Sequence, residues 1–382
     1  MNRREFLKYS SAGLAAGSFL GSSSLALSSP RFSKRLAVIS LQGGMDGLAA
    51  VPPLGDKFLF DQRPDLIGSE IFEINQEFGL SQSMPHYFRL LQNNEASIVH
   101  ASAFPYTKRS HFEGQNVIQS GVRTPFGEKT GWLGRTLAKV GLSGRALSVD
   151  KPLLLRGYND IETVYPAHIA GSNDLDASLI NELMTTSSYG PLTESLEKIA
   201  KSINLGMLNI PRDPKTLAFT AGQAMSRGDG PVVSFVEVGG FDTHAQQGIN
   251  QKGAQSRKLA ELDNIIDAYR KGLGEKWQDT AIITVTEFGR TVKMNGSSGT
   301  DHGYGSATFL AGGLVGKGAV VADWPSLKSG NLFEGRDLLA TIDSRSLWCA
   351  VLNRVFDIDH GTLRDEVFFD NTIPDLSEYL FS

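Results

Sequence analysis

Five apolar, β-type runs separated by longer stretches of helical periodicity constrain this chain more than any other feature of its sequence. They are RLAVISLQ (35–42), ASIVHA (96–101), PVVSFVEV (231–238), TAIITVT (280–286) and ATFLAGG (307–313). Short continuous apolar runs suit strands buried on both faces, and their alternation with helices predicts an α/β fold built on a layered sheet. Between the third and fourth runs, QKGAQSRKLAELDNIIDAYRKGLG sets Leu259, Leu262, Ile266, Tyr269 and Leu273 on one helical face with charges opposite. That segment is predicted to cover the sheet. The stretch from about 150 to 230, which includes YGPLTESLEKIAKSINLGML, is less regular and reads as an insertion or cap. No repeat, low-complexity tract or clear linker interrupts the chain from 29 to 382, so one domain is expected.

The N-terminus limits where such a protein works. NRREFLK precedes the small, apolar run YSSAGLAAGSFLGSSSLALSS, which ends on Ala26-Leu27-Ser28, the pattern of a cleaved export signal over 1–28. Arg3-Arg4 followed by Phe6-Leu7-Lys8 resembles the twin-arginine signal. That resemblance implies a bacterial protein handed folded to the twin-arginine translocation machinery, and a periplasmic or secreted destination. The apolar stretch is too short and too rich in Gly and Ser for a stable membrane anchor, and no later segment approaches a membrane span. A net charge of −4 without a basic stripe argues against nucleic acid as a partner. The sole cysteine, Cys349, lies in the helically patterned run SRSLWCAVLNRVF, where a buried thiol is expected and no internal disulfide can form.

Chemistry is concentrated in the loops at the strand ends. GGMDG with Asp46 succeeds the first strand, and SAFPYTKRSHFEGQ with Arg109, Ser110 and His111 succeeds the second. GGFDTH with Asp242 and His244 comes after the third; EFGRT with Glu287 and Arg290, then GTDHG with Asp301 and His302, comes after the fourth. Ligands of open α/β sheets bind outside the carboxyl ends of strands, so these four loops are predicted to converge. Glycines flank the acids and histidines, as expected where backbone turns sharply or approaches a ligand. Residues two apart in extended chain share a face, so Asp242 and His244 can serve one site together. Asp301 and His302 are neighbours: either they occupy a tight turn, or one is a ligand and the other orients it.

Clustered carboxylates and imidazoles without a thiolate suit Zn²⁺, Mn²⁺ or Mg²⁺, because a divalent cation removes their mutual repulsion. His244 and His302, with acidic neighbours and glycine-flanked loops, are the strongest histidine ligand candidates; His111 stands behind them and is placed with Ser110 among the catalytic residues. His86, His168 and His360 are expected to be structural or surface residues, and His100, at a strand end, to belong to the core or to sit behind the site. Ser110 precedes a helical pattern, where it either caps the helix or attacks an ester held at the helix N-terminus. Arg109 and Arg290 could clamp a phosphate or sulfate group, or form ion pairs.

In order along the chain, LQGGMDGL, RSHFEGQ, GGFDTH, TEFGRT and GTDHG resemble the DUF1501 family of exported bacterial proteins over nearly all of the mature sequence. That family is similar to the alkaline phosphatase superfamily, which includes sulfatases and cofactor-independent phosphoglycerate mutases. The resemblance implies a three-layer α/β/α sandwich with a mostly parallel central sheet, a two-metal site and a Ser or Thr nucleophile that becomes phosphorylated or sulfated. It makes Asp46 a metal ligand and Ser110 the nucleophile. It also assigns Asp242 and His244 to one metal, with Glu287 and His302 near the later ligand positions; Asp301 is expected to orient or supplement these ligands. Where the superfamily usually has an Asp-His pair straight after a strand, this chain has TEFGR, and its Asp-His arrives only after KMNGSSGT. No Cys/Ser-x-Pro-x-Arg stretch occurs, which disfavours a formylglycine sulfatase. The expected activity is hydrolysis or transfer of a phosphate or sulfate ester of a small molecule or polymer, dependent on one or two divalent metals. The alternative is a metal-stabilised binding or assembly protein of the cell envelope without turnover.

Overall fold

The computed structural model describes residues 33–67, 70–142, 146–147, 152–157, 213–228, 230–248 and 253–381. The export signal, His168, YGPLTESLEKIAKSINLGML and most of the expected cap lie outside the described residues.

Each of the five predicted strands forms. In chain order the strands are β1 (Arg35–Leu41), β2 (Ile71–Glu73), β3 (Gly79–Ser81), β4 (Ala96–Ala103), β5 (Ala146–Leu147), β6 (Val233–Val238), β7 (Thr280–Val285), β8 (Ser306–Ala311), β9 (Val320–Val321) and β10 (Ile342–Asp343). Apart from the small β2-β3 pair, they make one sheet in the order β10-β4-β8-β7-β1-β6-β5, with β9 also joined to β4. Every pairing in it is parallel except those of β8, which runs antiparallel to both β4 and β7. The sheet is mixed but mostly parallel.

Strand direction places the chemistry. β6 and β7 run parallel to β1, and β4 shares their direction because β8 opposes both β4 and β7. The carboxyl ends of β1, β4, β6 and β7 therefore share one edge of the sheet. Because β8 starts at that edge, the whole 286–305 connection stays there, which brings GTDHG back to the loops it must meet.

Helices cover both faces. Among the described residues they include α1 (Gly47–Ala50), α2 (Leu59–Gln62), α3 (Pro85–Gln92), α4 (His111–Ser120), α5 (Trp132–Val140), α6 (Pro214–Met225), α7 (Ala254–Leu273) and α8 (Ser344–Phe356). Alternate residues of a strand point to opposite faces. Ala37, Ile39 and Leu41 of β1, with Ile98, Ile282 and Phe309, accordingly join one buried cluster with Tyr87 of α3 and Met225 of α6. Leu259, Leu262, Ile266, Tyr269 and Leu273 of α7 belong to the same cluster, in keeping with their spacing. Opposite, Trp348 of α8 stacks on Trp132 of α5 at 5.3 Å and packs on Phe104 at 5.9 Å. The result is the expected α/β/α sandwich. Met84, at the N-cap of α3, makes no side-chain cap; buried Asp263 of α7 accepts instead from His86 N (3.1 Å) and Tyr87 N (2.7 Å), tying the two helices together. Cys349 is buried in α8, and burial pushes its thiol pKa up. Among the described residues no helix is long and apolar enough to cross a membrane.

Candidate metal centre

Two glycines let the loops at this edge touch. Gly43 turns the chain after β1 at φ +118°, and a Cβ there would lie 2.3 Å from Asp242 N. Gly299 lies against the backbone of His244, where a Cβ would come within 2.3 Å of its carbonyl carbon. Replacing Gly43 with Ala therefore combines an unfavourable backbone region with a clash against backbone that cannot yield. Gly43→Ala is expected to lower the unfolding free energy by about 2–4 kcal/mol, read by denaturant titration; a loss below about 0.5 kcal/mol would show that the two loops tolerate separation.

Asp242 is the hub of the site. Its Oδ1 lies 3.2 Å from His302 Nε2, 3.1 Å from His244 Nε2 and 2.8 Å from Arg290 Nη1, and its Oδ2 lies 3.3 Å from His111 Nε2. His244 Nε2 and His302 Nε2 are 2.9 Å apart. Donor atoms of His111, Asp242 and His302 all lie within 4.8 Å of one another. Phe288 backs two of the rings, with centroids 5.0 Å from His111 and 4.7 Å from His302. The Asp242 side chain is 42% exposed, so the cluster opens to solvent on one side.

Every imidazole is anchored through its other nitrogen. His111 Nδ1 meets Glu287 Oε1 at 2.8 Å, His244 Nδ1 meets Asp301 Oδ1 at 3.2 Å, and His302 Nδ1 meets the Arg109 carbonyl at 2.9 Å. Carbonyl and carboxylate oxygens only accept, so these contacts favour the proton on each Nδ1, and a neutral ring in that tautomer would turn its Nε2 lone pair toward the cluster. Three Nε2 atoms and a carboxylate thus face one another, and buried His111 Nε2 has no hydrogen-bond partner. This arrangement fits a cation. Ligands about 2.0–2.1 Å from a tetrahedral ion stand about 3.3 Å from one another, close to the spacings around Asp242.

Local electrostatics reflect these contacts. The hydrogen bond to Glu287 raises the His111 pKa above the ordinary histidine value, whereas burial lowers that of His302. Burial works against the charge of Asp242, but the hydrogen bond from Arg290 and the nearby His244 and His111 hold its carboxyl below the usual range.

Several expectations are corrected by what these side chains touch. Asp46, expected on a metal, is buried, caps α1 through Leu48 N and Ala49 N, and receives Arg63 Nη1 on both oxygens at 3.0 and 2.9 Å. The guanidinium neutralises it where a second metal is expected. Glu287 is also buried; Oε1 takes His111 Nδ1 and Gly43 N, so it orients a ring rather than joining the donors. Asp301 serves His244 in the same way, held by Asn295 Nδ2 at 3.0 Å. Arg109 does not reach the site with its side chain, which pairs with Asp337 and Glu334, and it contributes its carbonyl instead. Arg290 has no solvent-exposed side chain and binds Asp242, Gly43 O and Thr300, so no substrate can reach it. His111, expected to act in catalysis, stands among the donors. Ser110 occupies the N-cap position of α4, but its side chain makes no capping hydrogen bond. His100 is buried with Nε2 on Val51 O at 2.9 Å, and burial lowers its pKa to about 4. His86 and His360 bind local partners away from the cluster.

Three contributors carry little or no signal in the sequence. Arg63 comes after a short helix rather than a strand; Gln247 has only its position three residues after His244; Phe288 sits inside TEFGRT but reads as core.

No curated protein matches the chain. Among solved structures it is similar to Ps i-CgsB in complex with k-i-k-neocarrahexaose, at 10% identity over 85% of this chain and 72% of that one, TM-score 0.43. The PsFucS1 sulfatase from Pseudoalteromonas sp. matches at 13% identity over 91% of this chain and 72% of that one, TM-score 0.42. A protein in the alkaline phosphatase superfamily from Vibrio parahaemolyticus matches at 11% identity over 73% of this chain and 60% of that one, TM-score 0.37. Residues 213–368, which carry Asp242, His244, Glu287, Arg290 and His302, match the family model described as "Protein of unknown function (DUF1501)".

Proposed function

We propose that the protein is an exported, metal-dependent hydrolase or transferase of phosphate or sulfate esters, with Ser110 as its nucleophile. The observation that carries this reading is the convergence of the His111, His244 and His302 Nε2 atoms on the Asp242 carboxylate, each ring fixed from behind. A nitrogen-rich donor set favours Zn²⁺ or Mn²⁺ over Mg²⁺. An ion held there would polarise an ester oxygen and ease deprotonation of a hydroxyl.

The chain's own groups would do the rest. Ser110 directly precedes the donor His111 at the start of α4, where the helix dipole favours an anionic group. Its amide donates to Tyr106 Oη at 3.3 Å, which fixes the turn that presents the hydroxyl. Ser110 Oγ would form a bond to phosphorus or sulfur as the alcohol oxygen leaves with the electron pair of the broken ester bond. The serine proton passes to solvent or to the departing oxygen, and water then cleaves the seryl ester. Glu287, Asp301 and the Arg109 carbonyl keep the three rings aimed throughout. The twin-arginine pattern at the N-terminus makes the translocation machinery the proposed partner in export, with work done outside the cytoplasm.

Aryl phosphates and aryl sulfates, assayed with the zinc- or manganese-supplemented protein, test the reading. Wild type is expected to turn over one of the two ester classes, and Ser110→Ala to lose that activity by about 10³-fold or more. Equal inertness of both proteins over a broad ester panel would overturn catalysis and leave a non-catalytic, metal-stabilised envelope protein.

A further inference from the structure

Behind Asp242 runs a chain of buried polar groups that the proposed chemistry does not use. Gln247, only 2% exposed, donates from Nε2 to Asp46 Oδ2 at 2.6 Å, while its Oε1 accepts from Thr243 Oγ1 at 2.9 Å and Thr300 Oγ1 at 2.5 Å. Thr300 Oγ1 in turn accepts from Arg290 Nε at 3.1 Å, and the Thr300 carbonyl accepts from Arg290 Nη2. Arg290 Nη1 completes the chain on Asp242 Oδ1 at 2.8 Å.

Donor and acceptor roles leave this chain one direction. Arg63 can only donate and Asp46 can only accept, so Gln247 must turn its amino group to Asp46 and its carbonyl to the threonines. Thr300 then spends its proton on Gln247 and offers a lone pair to Arg290, which fixes the plane of the guanidinium beneath Asp242. Each of these buried polar atoms has a partner, and a network paired in this way favours a single arrangement.

We propose that Gln247 is a positioning residue of the metal centre: through Thr300 and Arg290 it transmits the fixed orientation of the Asp46–Arg63 pair to Asp242. The inference rests on the proposed metal centre. It assigns Gln247 to no contact with substrate or metal, only to the aim of the carboxylate at which the three rings meet.

Zinc affinity of the full chain, measured by competition with a chromogenic chelator, tests it without recourse to activity. Gln247→Leu is expected to bind zinc about 10–100-fold more weakly than wild type. Thr300→Val, which removes the bridging hydroxyl, is expected to weaken binding alike, and Thr300→Ser to restore it. The double variant should be no weaker than the worse single one, because both break one chain. Asp263→Asn, which disturbs a buried cap far from this network, should lower stability with zinc affinity unchanged. If Gln247→Leu does not fold, the Thr300 pair carries the same test. Binding by Gln247→Leu and Thr300→Val within about twofold of wild type would overturn the inference alone. A wild type that binds no zinc would overturn the metal centre as well.

Discussion

Purified after export, the protein is expected to carry about one equivalent of zinc or manganese, and Asp242→Ala or His302→Ala to carry essentially none. Asp242 touches all three rings, so its loss removes a donor, and it also leaves buried Arg290 without its carboxylate. Glu287→Gln should behave differently. It keeps the shape of the side chain but weakens the hydrogen bond that fixes His111, so affinity is expected to fall about 10–100-fold while the stoichiometry at saturating metal stays the same. Protons and metal compete for the same Nε2 lone pairs, so metal should be retained above the histidine range and lost as the pH falls through it. Elemental analysis of the three variants beside wild type reads all of this. Two equivalents in wild type, or one in Asp242→Ala, would contradict a single centre built around Asp242.

The sequence is legible where a physical constraint repeats along the chain. Strands buried on both faces must be continuously apolar, so β1, β4, β6, β7 and β8 are visible as runs, and helix α7 is visible as a stripe. Asp242 and His244 are legible as a pair because extended chain sets residues two apart on one face. Asp46 and Glu287 mislead for a reason inherent in the pattern: an acid after a strand looks the same whether it meets a metal, an arginine or an imidazole. Only the partner decides. For Asp46 the partner is Arg63, from an irregular segment without periodicity; for Glu287 it is His111, 176 positions earlier in the chain. The antiparallel direction of β8 is equally invisible, since an apolar run has no sign, yet it is what returns His302 to the site. Gln247 illustrates the limit, because its proposed role depends entirely on which way a buried amide faces.

Asp46→Ala is the variant that most sharply separates a ligand from a structural acid. A metal ligand lost at this position would reduce metal content and leave the fold largely intact. The contacts of Asp46 give the opposite outcome. Arg63 is fully buried, and its remaining hydrogen bonds go to Val292 O at 2.6 Å and Thr291 O at 2.8 Å, neither of which carries a compensating charge. Removing Asp46 strands that guanidinium in the interior and deletes the cap of α1, so the unfolding free energy is expected to fall by about 3–5 kcal/mol. Metal stoichiometry in the protein that remains folded should stay near that of wild type, with affinity weakened as in Gln247→Leu because the same polar chain is cut. Combining Asp46→Ala with Arg63→Met removes the stranded charge and should recover part of the stability, a non-additivity that denaturant titrations of the two single variants and the pair would measure. Full metal loss in a stable Asp46→Ala protein would instead return Asp46 to the donor set and reinstate a second metal position.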